Sequence, residues 1–130
     1  LLRIDQRAGK GEVWIGGLPD VLQVGKTGAV QRRFRSGNLP LGITSDKAAI
    51  GSPEPCVWEG DTQLVVVSDG VIEAEDAAGM PFGEENLVHA LARIETDPCD
   101  RIREALTVHL AGREAHDDMS VLVVDCPAVA

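Results

Sequence analysis

The sequence predicts an α+β fold, with helices packed on a mostly antiparallel sheet. Three observations point there. The first half holds short strand-like runs separated by glycine-bearing turns. One continuous apolar run, Leu64 to Val67, ends abruptly at Ser68-Asp69-Gly70. Two segments with helical periodicity then separate that run from a final apolar strand.

Taken in order, "LLRID", the turn "QRAGKG" and "EVWIGG" form a hairpin whose glycines supply unusual backbone angles. "DVLQV", "GKTG" and "AVQRRF" repeat the arrangement, and alternation places Val30 and Phe34 on one face. "SGNLPLGITSD" is rich in turn formers and reads as an ordered loop. Two prolines confine any strand in "GSPEPCVWEGD" to Cys56–Glu59. "TQLVVV" is a strand buried on both faces. "VIEAEDAAGMPFG" is a loop with room for one helical turn. In "EENLVHALARI", Leu87, Leu91 and Ile94 recur at helical spacing behind an acidic first turn. Asp97-Pro98 supplies an N-cap and a first-turn proline for a second helix, with Ile102, Leu106 and Leu110 in register and Gly112 as its stop. "MSVLVVDC" is the last strand. No linker, repeat or low-complexity tract interrupts the chain, so residues 1–126 read as one domain portion and 127–130 as a tail.

Composition narrows the function. With 130 residues, 44% hydrophobic and 25% charged, the chain can bury a real core. Its net charge of −9, from 21 acidic and 12 basic residues, argues against a nucleic-acid groove and against anionic lipid. No apolar run approaches the roughly 18 residues of a membrane span. Cys56, Cys99 and Cys126 lie far apart with no metal-binding spacing, as expected of packed thiols in a reducing cytoplasm. The start, "LLRIDQRAGK", lacks the layout of a signal peptide. It reads as mid-strand, so a piece of a longer protein is expected.

The residues that carry chemistry stand at two strand ends. Asp69 follows the C-terminal end of one apolar strand, and Asp117 and Asp118 precede the N-terminal end of another. If those strands are antiparallel neighbours, the carboxylates meet at one edge. Close carboxylates repel, and a divalent cation between them removes the cost. Hard oxygen ligands suit magnesium or manganese. Gly70, with no side chain, leaves room for its carbonyl to approach an ion. Solvated turns account for the same dipeptides without any metal.

"LVVVSDGVIEAEDAAGMPFG" resembles the SDG segment of the SpoIIE-type (RsbU/RssB-like) branch of the PPM family, which comprises metal-dependent serine/threonine protein phosphatases. "HDDMSVLVV" is similar to that family's final strand motif, "GGLPDVLQV" to its G-x-P-P-x-L hairpin and "LPLGI" to its PLG loop. Each motif is weak alone, but the four occur in the family's order. The resemblance implies a PPM-type αββα sandwich, here incomplete at the N-terminus. It implies Asp69, Asp117 and Gly70 as metal-site residues, with Ser68 and Asp118 in supporting turn positions and Glu73 fixing the loop. It further implies hydrolysis of phosphoserine or phosphothreonine at a two-metal manganese or magnesium site, without a covalent phosphoenzyme. The partners implied are a phosphorylated STAS-domain anti-sigma factor antagonist and an N-terminal sensor or receiver domain, as in a bacterial response regulator of stress; a dimer is compatible with both.

The sequence departs from the family in two places. The upstream aspartate and G-D-x-x-G-H-G stretch have no counterpart in residues 1–130, so a half site is expected, with the fragment alone inactive. Leu18 stands where the family often has histidine. A non-catalytic adaptor that binds a sigma-factor regulator is the alternative, although an adaptor has no need to cluster carboxylates. Other residues invite blander readings. His116 could orient a ligand but reads as exposed, and His89 and His109 as surface or boundary positions. Arg32, Arg33 and Arg35 read as charges on an outer strand face, Trp14 and Trp58 as core, and "GKTG" as a turn rather than a phosphate loop.

Overall fold

The computed structural model describes residues 1–46 and 50–129. Strands β1 (Leu2–Asp5), β2 (Lys10–Val13), β3 (Val21–Gly25), β4 (Val30–Phe34), β5 (Glu54–Val57), β6 (Thr62–Val67) and β7 (Val121–Cys126) build two antiparallel sheets. One has the order β1-β2-β5 and the other β4-β3-β6-β7. Between β6 and β7 lie the single turn α1 (Asp69–Ile72), α2 (Gly83–Ala92) and α3 (Pro98–Leu110).

Period-2 alternation makes the larger sheet the shared wall of two cores. Leu22, Val24, Val65 and Val67 pack against Leu87, Leu91, Ile102 and Leu106 of the helices. Val21, Phe34, Leu64 and Cys126 face Val13 and Cys56 of the smaller sheet. Gln23 is buried between the sheets, where its Nε2 donates to Val57 O at 3.0 Å and its Oε1 accepts from Cys56 Sγ at 3.7 Å. The outer face of the smaller sheet exposes Arg3, Asp5, Lys10 and Glu12, and no described helix covers it.

Several local expectations change. Val30 and Phe34 do not share a face, because a β-bulge leaves Gln31 unpaired between the pairs Gln23↔Arg32 and Val24↔Val30. The extra residue reverses the alternation, sending Val30 to the helix core and Phe34 to the inter-sheet core. β5 begins at Glu54, earlier than the prolines suggest; Pro55 is tolerated because β5 is an edge strand. α2 stops at Ala92, since Arg93 is extended, and Ile94 is left exposed. Pro127 O accepts from Trp58 Nε1 at 3.0 Å and Ala128 N donates to Asp61 at 2.9 Å, so the expected tail is tied to the body.

The second long helix forms as its signals specify. Asp97 accepts from Cys99 N at 2.8 Å with Pro98 behind it, while Ala111 and Gly112 close the far end with φ of 50° and 85°. Buried Arg101 donates to Leu91 O at 2.6 Å, placing a cation against the C-terminal carbonyls of α2. Arg32 lies over the Phe34 ring and bonds Pro55 O and Glu54, and Arg33 pairs with Glu84. These two charges are therefore engaged within the fold rather than free for phosphate.

Two measurements test this packing. Leu64→Ala is expected to lower the unfolding free energy in urea by about 2–5 kcal/mol, and Leu122→Ala, on the half-exposed neighbouring strand, by far less. Burial pushes the Cys126 thiol up to about 11 and raises Cys56 as well. Burial and the neighbouring Asp97 raise the Cys99 thiol too, so access decides: a thiol reagent is expected to label the partly exposed Cys99 before either buried cysteine.

Candidate metal centre

β6 and β7 are antiparallel neighbours, in register from Thr62↔Cys126 to Val67↔Val121. The C-terminal end of one therefore meets the N-terminal end of the other. Pairing continues one step past both strands: Ser68 N donates to Ser120 O at 3.0 Å, and Ser120 N donates to Ser68 Oγ at 2.9 Å. Ser68 Oγ in turn donates to Asp118 O at 3.2 Å. Ser68 is thus a hydroxyl clasp between the two segments.

Beyond the clasp, Asp69 opens α1 and Gly70 is buried against the opposite segment. A Cβ built on Gly70 would overlap the Asp118 carbonyl oxygen and lie 3.4 Å from the Asp117 carbonyl carbon. Only glycine permits this approach. Asp117 Oδ1 accepts from Asp118 N at 2.8 Å, which fixes the turn before β7. Both Asp69 and Asp117 are exposed at this edge.

A cavity of about 480 Å³ adjoins it, lined by Gly70, Glu73, Ala74, Glu75, Pro81, His116 and Asp117. His116 and Glu73 therefore stand at the cleft. Glu75 joins them, although nothing in its sequence setting marks it. Its neighbour Asp76 accepts from Ala78 N at 2.8 Å and Met80 N at 2.9 Å. The Met80 amide, followed by that of Ala78, holds the Asp76 carboxyl below its usual range.

As a donor set, Asp69, Asp117 and the Gly70 carbonyl offer hard oxygens of the kind magnesium and manganese prefer. Among the described residues, however, no group of three or more His, Cys, Asp or Glu side chains converges as a metal cluster. Asp117 and Gly70 line the cleft and Asp69 lies beside them at the same sheet edge, so their chemistry, oxygen donors only, is compatible with a divalent cation.

The family model for stage II sporulation protein E (SpoIIE) matches residues 1–127. The chain belongs to the SpoIIE family. No curated protein sequence matches it. Its fold is similar to part of the crystal structure of the RsbU and RsbW domains of Rv1364c from Mycobacterium tuberculosis, with a TM-score of 0.69 at 20% identity. The superposition covers 95% of this chain and 34% of that one, so this chain spans about a third of the length of the chain it matches. The architecture is the α+β sandwich of the PPM phosphatases, and this SpoIIE chain is a phosphatase-family domain.

Gly70→Ala is expected to force the Asp117–Asp118 backbone away and to cost about 1–3 kcal/mol in urea denaturation. Amide shift changes should concentrate at residues 117–121. Asp76 supplies a pH test. Because its folded pKa is depressed, its stabilisation is present above the unfolded value of about 3.9 and is lost as pH falls through the lower folded value. The difference in urea midpoint between wild type and Asp76→Ala is expected at pH 7 and should vanish toward pH 2.

Proposed function

We propose that this SpoIIE chain contributes to a metal-dependent phosphatase that removes phosphate from phosphoserine or phosphothreonine on a protein. The observation that carries this reading is the apposition of the Asp69–Gly70 and Asp117–Asp118 segments, joined by the Ser68–Ser120 clasp beside an open cleft. In this reading Asp69 and Asp117 hold manganese or magnesium, and the Gly70 carbonyl is the third oxygen. Divalent cations bound there would lower the pKa of a water and draw charge from the phosphoryl oxygens. Ser68 and Asp118 fix the backbone that carries the carboxylates, and Glu73 and Glu75 line the approach.

Two carboxylates and a carbonyl hold magnesium poorly, because that ion gives up its waters reluctantly. The 130-residue stretch alone is therefore expected to be nearly inactive, with a further acidic ligand from elsewhere in the full-length protein completing the site. The same reading makes this the cytoplasmic output module of a bacterial partner-switching or response-regulator system, acting on a STAS-domain anti-sigma factor antagonist. It is supported by the family match and by a structural neighbour that combines RsbU and RsbW domains.

The test is hydrolysis by the full-length protein of p-nitrophenyl phosphate and of a phosphorylated antagonist, with manganese and with a chelator. Activity is expected only with the metal, and Asp69→Ala and Asp117→Ala should each lower it about a hundredfold or more. Tight antagonist binding with no hydrolysis under any metal would replace this reading with the adaptor.

A further inference from the structure

The loop Ala74–Phe82 forms one wall of the cleft, through Ala74, Glu75 and Pro81. It is closed at its neck: Phe82 N donates to Ala74 O at 2.7 Å, Asp76 N donates to Met80 O at 3.0 Å, and Glu75 bridges to Pro81. Asp76 caps its interior. Among the described residues, two side chains from outside bond it: Asn86 Nδ2 donates to Phe82 O at 2.7 Å from the first turn of α2, and His109 alone reaches both of its sides. His109, in the last turn of α3, places Nε2 at 3.0 Å from both Ala74 O and Met80 O. Its ring meets Phe82 edge-on, with centroids 5.3 Å apart and planes at 77°.

Two features separate this contact from ordinary packing. Both partners are carbonyl oxygens, which only accept, so Nε2 carries the hydrogen. Each carbonyl already receives a backbone N–H, so His109 is not there to satisfy an orphaned acceptor. What the bond adds is position: it joins the two sides of the loop neck to a helix anchored in the main core by Ile102, Leu106 and Leu110. Met80, whose carbonyl it holds, exposes 60% of its surface beside the cleft, with Ala77, Ala78 and Gly79 also open to solvent.

We propose that His109 is a positioning residue that fixes the 74–82 wall and thereby sets how the site engages a phosphoprotein. The inference rests on the phosphatase reading above. A protein substrate must lie across this wall, whereas p-nitrophenyl phosphate is small enough to reach the Asp117 side without touching its rim. His109 therefore governs KM for the protein and leaves turnover of the small ester unchanged.

The experiment uses the full-length protein with His109→Phe, which keeps a ring against Phe82 and removes the donor, and His109→Gln, which restores an N–H. His109→Phe is expected to raise KM for the phosphorylated antagonist about tenfold while kcat on p-nitrophenyl phosphate stays the same, and His109→Gln should recover most of the loss. Amide exchange at Asp76, Met80 and Phe82 should quicken about tenfold in His109→Phe, and nitrogen NMR should show Nε2 protonated in the wild type. Equal losses on both substrates, or unchanged KM in an active enzyme, overturn the proposal. Unchanged exchange or an unprotonated Nε2 also overturns it, and these two readouts apply whether or not the protein is active. A wild type that hydrolyses neither substrate defeats the phosphatase reading instead.

Discussion

The antiparallel pairing of β6 with β7 is the constraint on which the candidate site depends. It is a backbone ladder, so its register is held by the burial of Leu64, Val65 and Val67 on opposite faces. A slip of one residue would turn each side chain of β7 to the wrong core. It would also carry Asp117 and Asp118 away from Gly70, because the turn before β7 moves with the strand. The two cores thus fix the placement of exposed acidic residues that contribute no apolar burial themselves.

Side chains then refine what the ladder sets coarsely. Ser68 both donates to Asp118 O and accepts from Ser120 N, so one hydroxyl spans the turn from its middle to its exit. Gly70 adds a steric condition, since its missing Cβ is where the Asp118 carbonyl sits. Hydrogen bonding draws the segments together and the glycine lets them meet. Either alone would leave a gap or a clash between the two segments.

Much of this was legible because short-range signals and long-range packing agree. The apolar run ending at Ser68, the Asp97-Pro98 start and the Gly112 stop each name a local geometry that the fold uses. The convergence of Asp69 and Asp117 segments was legible once the strands were taken as antiparallel neighbours. The bulge at Gln31 was not, because nothing in "AVQRRF" marks where the ladder gains a residue; only pairing with β3 shows it. Ile94 continued a helical spacing that the chain abandons at Arg93, where periodicity persists by chance without burial. Glu75 and His109 were hidden for another reason. Glu75 reaches the cleft because the 116–117 segment packs beside it, and His109 meets a loop about 30 residues earlier; no local pattern records either contact.

The division of labour around α1 follows from chain length. A single turn of four residues is too short to hold itself by helical propensity. It persists because Val71 is buried in the helix-side core and because the clasp fixes Ser68, the residue that precedes it and accepts from Val71 N. From there the chain must travel from the sheet edge to the start of α2, and the 74–82 loop covers that distance with its own neck bonds. The loop's two ends are held by burial of Ala74 and Phe82 in the helix-side core and by Asn86 on Phe82 O, which leaves the solvent-facing stretch around Met80 as the part least restrained. His109 adds a bond from α3 to Met80 O as well as to Ala74 O, so the exposed side of the loop is tied to the same helical core as its ends.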